Sequence, residues 1–278
     1  MNKAICTFRD NKKSMYKDFG DNFRKYAVPL YCQGQEATGD LVGSGTLIQL
    51  GSETFVMSCS HVLDDIKTPG DENRIYIPWD YKPDGEMRSY TGMRYDAKDK
   101  ATSEPIDVIF LHLPNDHVRQ LRLMGQKPIQ IANQAAFDLP DKWQVAFCGF
   151  PATRNNIKSN YVQGIEFFSI FTRRHPQEAV VKAGLKKWEM PYVYSRKKCF
   201  SGGRKISGPI PNGMSGGPVF AYYDSEMDLL TPPRFFGIGV QWADTTKKTF
   251  YIASIRIDFV LAACLRMRTR ATPQRISN

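Results

Sequence analysis

The feature that most constrains this chain is a succession of short, β-rich apolar runs, each closed by turn-forming residues. YAVPLYC (26–32), GTLIQL (45–50), TFVMSC (54–59), RIYIPW (74–79) and DVIFLHL (107–113) come first. WQVAFCGF (143–150), GIEFFSIF (164–171), GPVFAYY (217–223), FFGIGVQW (235–242) and TFYIASI (249–255) follow. Val, Ile, Phe and Tyr fill these runs, and Gly, Pro, Asn or Asp bound them, which is the pattern of strands. GTLIQL and TFVMSC flank Gly51-Ser52-Glu53 and read as a hairpin. Helical periodicity is scarce, and IDFVLAACLRM (257–267) is its clearest case. Many short strands with few helices predict an all-β barrel or sandwich.

The strands fall into two clusters. Residues 25–115 form one β unit, and residues 131–268 form a second that ends in the helix. Between them, residues 116–130 read as a connection, because PNDHVRQLRLMGQKP (114–128) is polar, basic and weakly patterned. Residues 1–24 read as an N-terminal extension and 269–278 as a tail. No run approaches the roughly 18 apolar residues of a membrane helix, so no membrane partner is expected. The N-terminus has positive charge but no apolar stretch of the kind that directs secretion, and a cytoplasmic location is the expectation. Six cysteines (Cys6, Cys32, Cys59, Cys148, Cys199, Cys264) are scattered without tight spacing, which favours buried free thiols over a disulfide framework. The four histidines do not pair with them at zinc-site spacing, so no metal is expected, and nothing in the sequence asks for a cofactor.

The most informative string is Asn212-Gly213-Met214-Ser215-Gly216-Gly217-Pro218. Small residues around a serine let the backbone turn sharply and present the hydroxyl. They also let N–H groups approach a substrate carbonyl as an oxyanion hole. The string satisfies G-x-S-x-G, the nucleophile elbow of α/β-hydrolases, but that fold needs its histidine after the serine. Here the last histidine is His175, so that order fails. An Asp-His-Ser order would need a parallel α/β sheet, which the strand-rich pattern disfavours. The remaining order, His-Asp-Ser on a β scaffold, can be filled. His61 stands in Ser58-Cys59-Ser60-His61-Val62-Leu63 at the end of an apolar run. Asp107 heads the run Ile106-Asp107-Val108-Ile109-Phe110-Leu111, where an acid is costly to bury without a partner. Ser215 is then the nucleophile, His61 the base, and Asp107 the group that fixes the histidine tautomer. His112 reads as a packing histidine, and His117 and His175 fall in polar loop sequence.

Gly43-Ser44-Gly45-Thr46-Leu47-Ile48, Ser60-His61-Val62, Asp107-Val108 and Gly213-Met214-Ser215-Gly216-Gly217-Pro218 together resemble the trypsin-like serine peptidase family, including its bacterial HtrA-type members. The resemblance spans roughly residues 26 to 256 and is strong at the motifs. It implies a chymotrypsin-like fold of two antiparallel six-stranded β-barrels, with the active site between them and a C-terminal helix. It also implies an oxyanion hole from the N–H groups of Gly213 and Ser215, and serine endopeptidase activity on protein or peptide substrates. Only 22 residues follow position 256, too few for the PDZ domain usual in HtrA proteins. By the same resemblance Pro209 lies at the base of the P1 pocket, and Gln241 and Trp242 shape it. No acid stands at 209 to bind Lys or Arg. The alternative is a protease-like domain, catalytically silent or latent until a partner orders its cleft, that binds a protein or nucleic-acid partner.

Charge adds one expectation. The net charge is +10, and residues 154–205 hold twelve basic residues against three acidic ones. A positive rim there would steer an acidic partner towards the cleft. No recognition module for nucleic acid is visible, so nucleic acid is not an expected partner.

Overall fold

A computed structural model describes residues 22–33, 39–64, 75–78, 87–89, 94–98, 104–139, 143–155, 165–173, 186, 188–195, 199–201, 204–206, 208–223, 233–246 and 249–270. The chain is mostly β with few helices, and all ten apolar runs contain a strand. The first sheet is built from β1 (Ala27–Gln33), β2 (Gly39–Leu50), β3 (Glu53–Ser58), β4 (Ile75–Pro78), β5 (Met87–Ser89), β6 (Arg94–Lys98), β7 (Pro105–His112) and β8 (Ile129–Gln130). Its order is β5-β4-β1-β2-β3-β7-β6, with β8 added in parallel on β2. Among the described residues this sheet has eight strands. β2 and β3 make the anticipated hairpin, with Leu50 opposite Glu53 and Gly51 at φ +62° in the turn.

The second sheet uses β9 (Trp143–Gly149), β10 (Phe168–Arg173) and β11 (Glu189–Ser195), then β14 (Pro218–Tyr223), β15 (Arg234–Thr246) and β16 (Thr249–Arg256). It is antiparallel, ordered β10-β9-β14-β15-β16-β11. It curls into a half-barrel that brings the two edge strands, β10 and β11, next to each other. A separate pair, β12 (Cys199–Ser201) and β13 (Arg204–Ile206), completes the strands among the described residues. The apolar run at 257–267 forms the helix α3 (Ile257–Arg270), which packs on β15, β16 and β6. The largest core cluster joins both sheets and α3: Leu47, Val56 and Phe110 belong to it along with Phe220, Ile255 and Val260. Met214 belongs instead to the core of the second sheet, with Phe147, Val219 and Phe236. Among the described residues no helix is long and apolar enough to cross a membrane.

The connection expected over 116–130 contains a helix, α2 (Asn115–Leu123). His117, expected in a polar loop, is on that helix and buried with Val118 and Leu121. Their i, i+1, i+4 spacing is one helical stripe, too short to stand out in a basic segment. β11 also went unread, because Pro191 interrupts it. Met190, Tyr192 and Tyr194 nonetheless alternate inward at strand period. Pro is tolerated there because β11 is an edge strand.

Cys32, Cys59, Cys148 and Cys264 are free thiols, and the last three are buried. Burial pushes the Cys148 and Cys264 thiols up to about 12. They stay protonated at neutral pH and behave as small apolar groups. The melting temperature is therefore expected to be the same with and without a thiol reductant. A drop of several degrees on reduction would mean that a disulfide supports the fold.

Candidate active site

Asp107 is the second residue after the start of β7. Ser58 pairs with Ile109 across β3 and β7. Carrying that register two residues further sets Asp107 against the chain just beyond β3. There the backbone turns into the five-residue helix α1 (Ser60–Asp64). First-turn N–H groups of a helix have no intrahelical acceptor, and the Asp107 carboxylate takes one of them. Its Oδ1 accepts the His61 backbone N–H at 3.0 Å, while Oδ2 lies 2.5 Å from the ring Nδ1 of the same residue. One carboxylate thus holds both the backbone and the ring of His61. Against an ionised carboxylate Nδ1 is the donor, the tautomer that carries the ring proton on this nitrogen. The His61 side chain is 42% exposed and that of Asp107 27%, so the pair opens to solvent at one edge.

Ser215 sits in the turn between Asn212 and Gly217, anchored by the buried Met214. Gly213 and Gly216 have φ of +87° and +85°, in the left-handed region that favours glycine. A Cβ on Gly213 would also press on Ala152 N and Phe150 O, at 2.7 and 2.9 Å, so both conformation and space require glycine there. Seven consecutive carbonyls of this turn, from Pro211 to Gly217, all accept a hydrogen bond. Pro211 O takes Met214 N–H (2.9 Å), Asn212 O takes Ala152 N–H (2.7 Å), and Met214 O takes Gly217 N–H (3.1 Å). Gly213 O accepts the Ser44 hydroxyl (2.7 Å), and Gly216 O accepts the Thr46 hydroxyl (2.8 Å). Ser215 O takes Ser44 N–H (2.8 Å), and Gly217 O takes Gly239 N–H (2.9 Å). Each peptide plane is therefore fixed. Since N–H points opposite to C=O in a trans peptide, fixing Asn212 O and Met214 O also aims the N–H groups of Gly213 and Ser215. Those two N–H groups donate to nothing among the described residues, and neither does that of the exposed Asn212.

The serine turn lies against the approach to His61. Gly216 N–H donates to Gly239 O at 2.7 Å, and the buried Cys59 thiol donates to the same carbonyl at 3.0 Å. The β15–β16 register slips at Val240, which has no partner across the ladder. Bulges of this kind re-aim groups at sites, and here the Val240 carbonyl accepts the Ser215 hydroxyl at 2.9 Å. The hydroxyl is thus held by strand β15. Burial, and next the nearby Asp107 charge, hold the Cys59 thiol well above the usual cysteine range. Cys59 Sγ, a His61 ring nitrogen and an Asp107 oxygen lie within 4.8 Å of one another, a donor set of the type that suits zinc. In this structure the ring nitrogen and the carboxylate bond each other, and the thiol bonds Gly239.

Pro209 is buried, and its carbonyl accepts the Tyr194 hydroxyl at 2.8 Å. Gln241 and Trp242 follow Val240 on β15, opposite Ala253 and Ile252 of β16, and their side chains lie outside the described residues. His112 packs on the Phe55 ring, with centroids 5.1 Å apart. Of the expected positive rim, Lys186 is described and exposed, and the other side chains, those of Arg196, Lys197 and Lys198 among them, lie outside the described residues. The sequence reading passed over Ser44, Thr46 and Val240 as individual residues. For the first two the signal was present in Gly43-Ser44-Gly45-Thr46, where two hydroxyls alternate with two glycines. No protein-family model matches the chain, and no curated protein matches it either.

Proposed function

We propose that the protein is a serine endopeptidase that cleaves peptide bonds through an acyl-enzyme formed on Ser215. The observation that carries this reading is the serine turn itself. All its carbonyls are bonded, while the N–H groups of Gly213 and Ser215 remain as donors beside a hydroxyl. That is the arrangement an oxyanion requires. His61, fixed by Asp107 with Nε2 left as the base, supports it. In the reaction Ser215 Oγ attacks the scissile carbonyl and its proton passes to His61 Nε2. The carbonyl oxygen, now negative, is bound by the Gly213 and Ser215 N–H groups. Collapse expels the amine, protonated by His61, and water then hydrolyses the ester by the same steps reversed. The fold we assign with this chemistry is the chymotrypsin-like one, two β-barrels flanking a cleft, and the curled second sheet is compatible with it. The substrate is a protein or peptide.

A second reading, a latent enzyme, is favoured by one contact. The Ser215 hydroxyl donates to Val240, so it must turn from that carbonyl to His61 before attack. A fluorophosphonate probe separates the readings. Labelling of the isolated protein that is lost in Ser215→Ala supports an active enzyme, whereas labelling only after a partner is added supports latency. No labelling under either condition would overturn the enzymatic assignment.

Specificity gives a further expectation. With Pro209 at the pocket base and no acid there, cleavage after Lys or Arg should not dominate a peptide-library profile. Strict basic preference would place an acid elsewhere in the pocket.

A further inference from the structure

We infer that Ser44 is the positioning residue of the serine turn, a role that rests on the peptidase reading above. Ser44 lies on β2, in the first sheet, and is fully buried. All of its hydrogen-bonding groups are used. Its N–H donates to Ser215 O at 2.8 Å and its hydroxyl to Gly213 O at 2.7 Å. The same hydroxyl oxygen accepts Phe150 N–H at 2.9 Å, at the end of β9. Its carbonyl accepts the Ser58 hydroxyl at 2.7 Å, three residues before His61. One side chain and its backbone thereby tie together the serine turn, the end of β9 and the chain leading into the histidine. Thr46, also fully buried, adds the bond to Gly216 O from the same strand.

The consequence is geometric. Gly213 O and Ser215 O are the carbonyls of the two residues whose N–H groups form the proposed oxyanion hole, each one peptide plane on from the donor. With Ser44 on both carbonyls, the peptide planes next to those N–H groups cannot rotate without breaking a buried bond. In Ser44→Ala the N–H bond to Ser215 O survives, but Gly213 O and Phe150 N–H both lose the hydroxyl. A buried polar group without a partner drives local rearrangement, and the glycine at 213 offers little resistance to a peptide flip. The turn would then populate orientations in which the N–H groups point elsewhere. Substrate contacts outside the turn are untouched.

The test uses the intact chain and a fluorophosphonate, which forms a Ser215 Oγ–P bond as P–F breaks. Fluoride leaves, the serine proton passes to His61, and the phosphoryl oxygen sits where the oxyanion would. Ser44→Ala is expected to slow labelling by on the order of 10-fold to 100-fold, the scale of a misplaced reacting group. Amide exchange at Gly216 and Gly217 should quicken, while exchange in β14 and β16 is unchanged. Tyr192→Phe, which breaks the buried Tyr192–Ser254 bond at 2.9 Å, is the control: it should lower the melting temperature and leave the labelling rate alone. If Ser44→Ala does not fold, the isosteric Thr46→Val replaces it, with a several-fold slowing expected. Wild-type labelling and wild-type exchange in a folded variant would overturn the inference. If the wild type labels neither alone nor with a partner, the peptidase reading fails and exchange alone decides. Acceleration confined to residues 212–217 keeps Ser44 as the organiser of the turn, and acceleration spread over both sheets removes it.

Discussion

Ser215→Ala and His61→Ala are each expected to lower peptide hydrolysis by about 10⁶-fold, and the double variant should be hardly worse than either one. The reason is that the two groups perform one step. Without the hydroxyl, His61 has nothing to deprotonate, and without the imidazole, the hydroxyl stays a weak nucleophile. Neither substitution should disturb the fold. His61 is half-buried at the edge of the core, and alanine at 215 leaves the Ser44 N–H bond to the backbone carbonyl intact. Steady-state rates on a cleaved peptide, with folding checked by melting temperature, give the comparison. Losses that multiply in the double variant would show that the two residues act separately.

Asp107→Asn should cost about 10⁴-fold in kcat while preserving the structure. The carboxylate accepts twice from one residue, the His61 N–H on Oδ1 and the ring Nδ1 on Oδ2. An amide has a single acceptor. If its oxygen keeps the backbone N–H, its NH₂ faces Nδ1, and a donor there forces the ring proton onto Nε2. The base is then blocked towards Ser215 without any atom having moved far. Stopped-time assays of kcat and KM should find the loss in kcat. Activity of the variant within tenfold of wild type would mean that Asp107 does not set the tautomer.

Much of the proposed site was legible in the sequence because its residues lie in local strings. The small residues from Gly213 to Gly217 mark a turn only glycine can make, and the φ values at Gly213 and Gly216 show why. Asp107 at the head of an apolar run announced a buried partner, and the β3–β7 register supplies His61. Chain order rules out the α/β-hydrolase arrangement, because no histidine follows Ser215, and the scarcity of helices disfavours the Asp-His-Ser one. The roles of Val240 and Ser44 were hidden for a physical reason: each acts through a backbone or hydroxyl bond to a residue distant in sequence. Val240 does so through a bulge that depends on where β15 meets β16. Similarly, α2 and the buried His117 were missed because one short apolar stripe in a basic segment gives too little periodicity to see.

Alternation and turn residues in the sequence determined that the chain folds mostly as strands, where those strands lie, and which histidine, acid and serine are placed at their ends. Only the tertiary structure decided that the first sheet has eight strands among the described residues, that the second curls until its edges meet, and that Ser44 reaches across to hold the serine turn. Strand position follows from local pattern, because a half-buried strand needs alternation or an apolar run wherever it sits. Pairing and closure depend on contacts between residues more than a hundred apart, such as Ser44 with Gly213, and no local pattern encodes those.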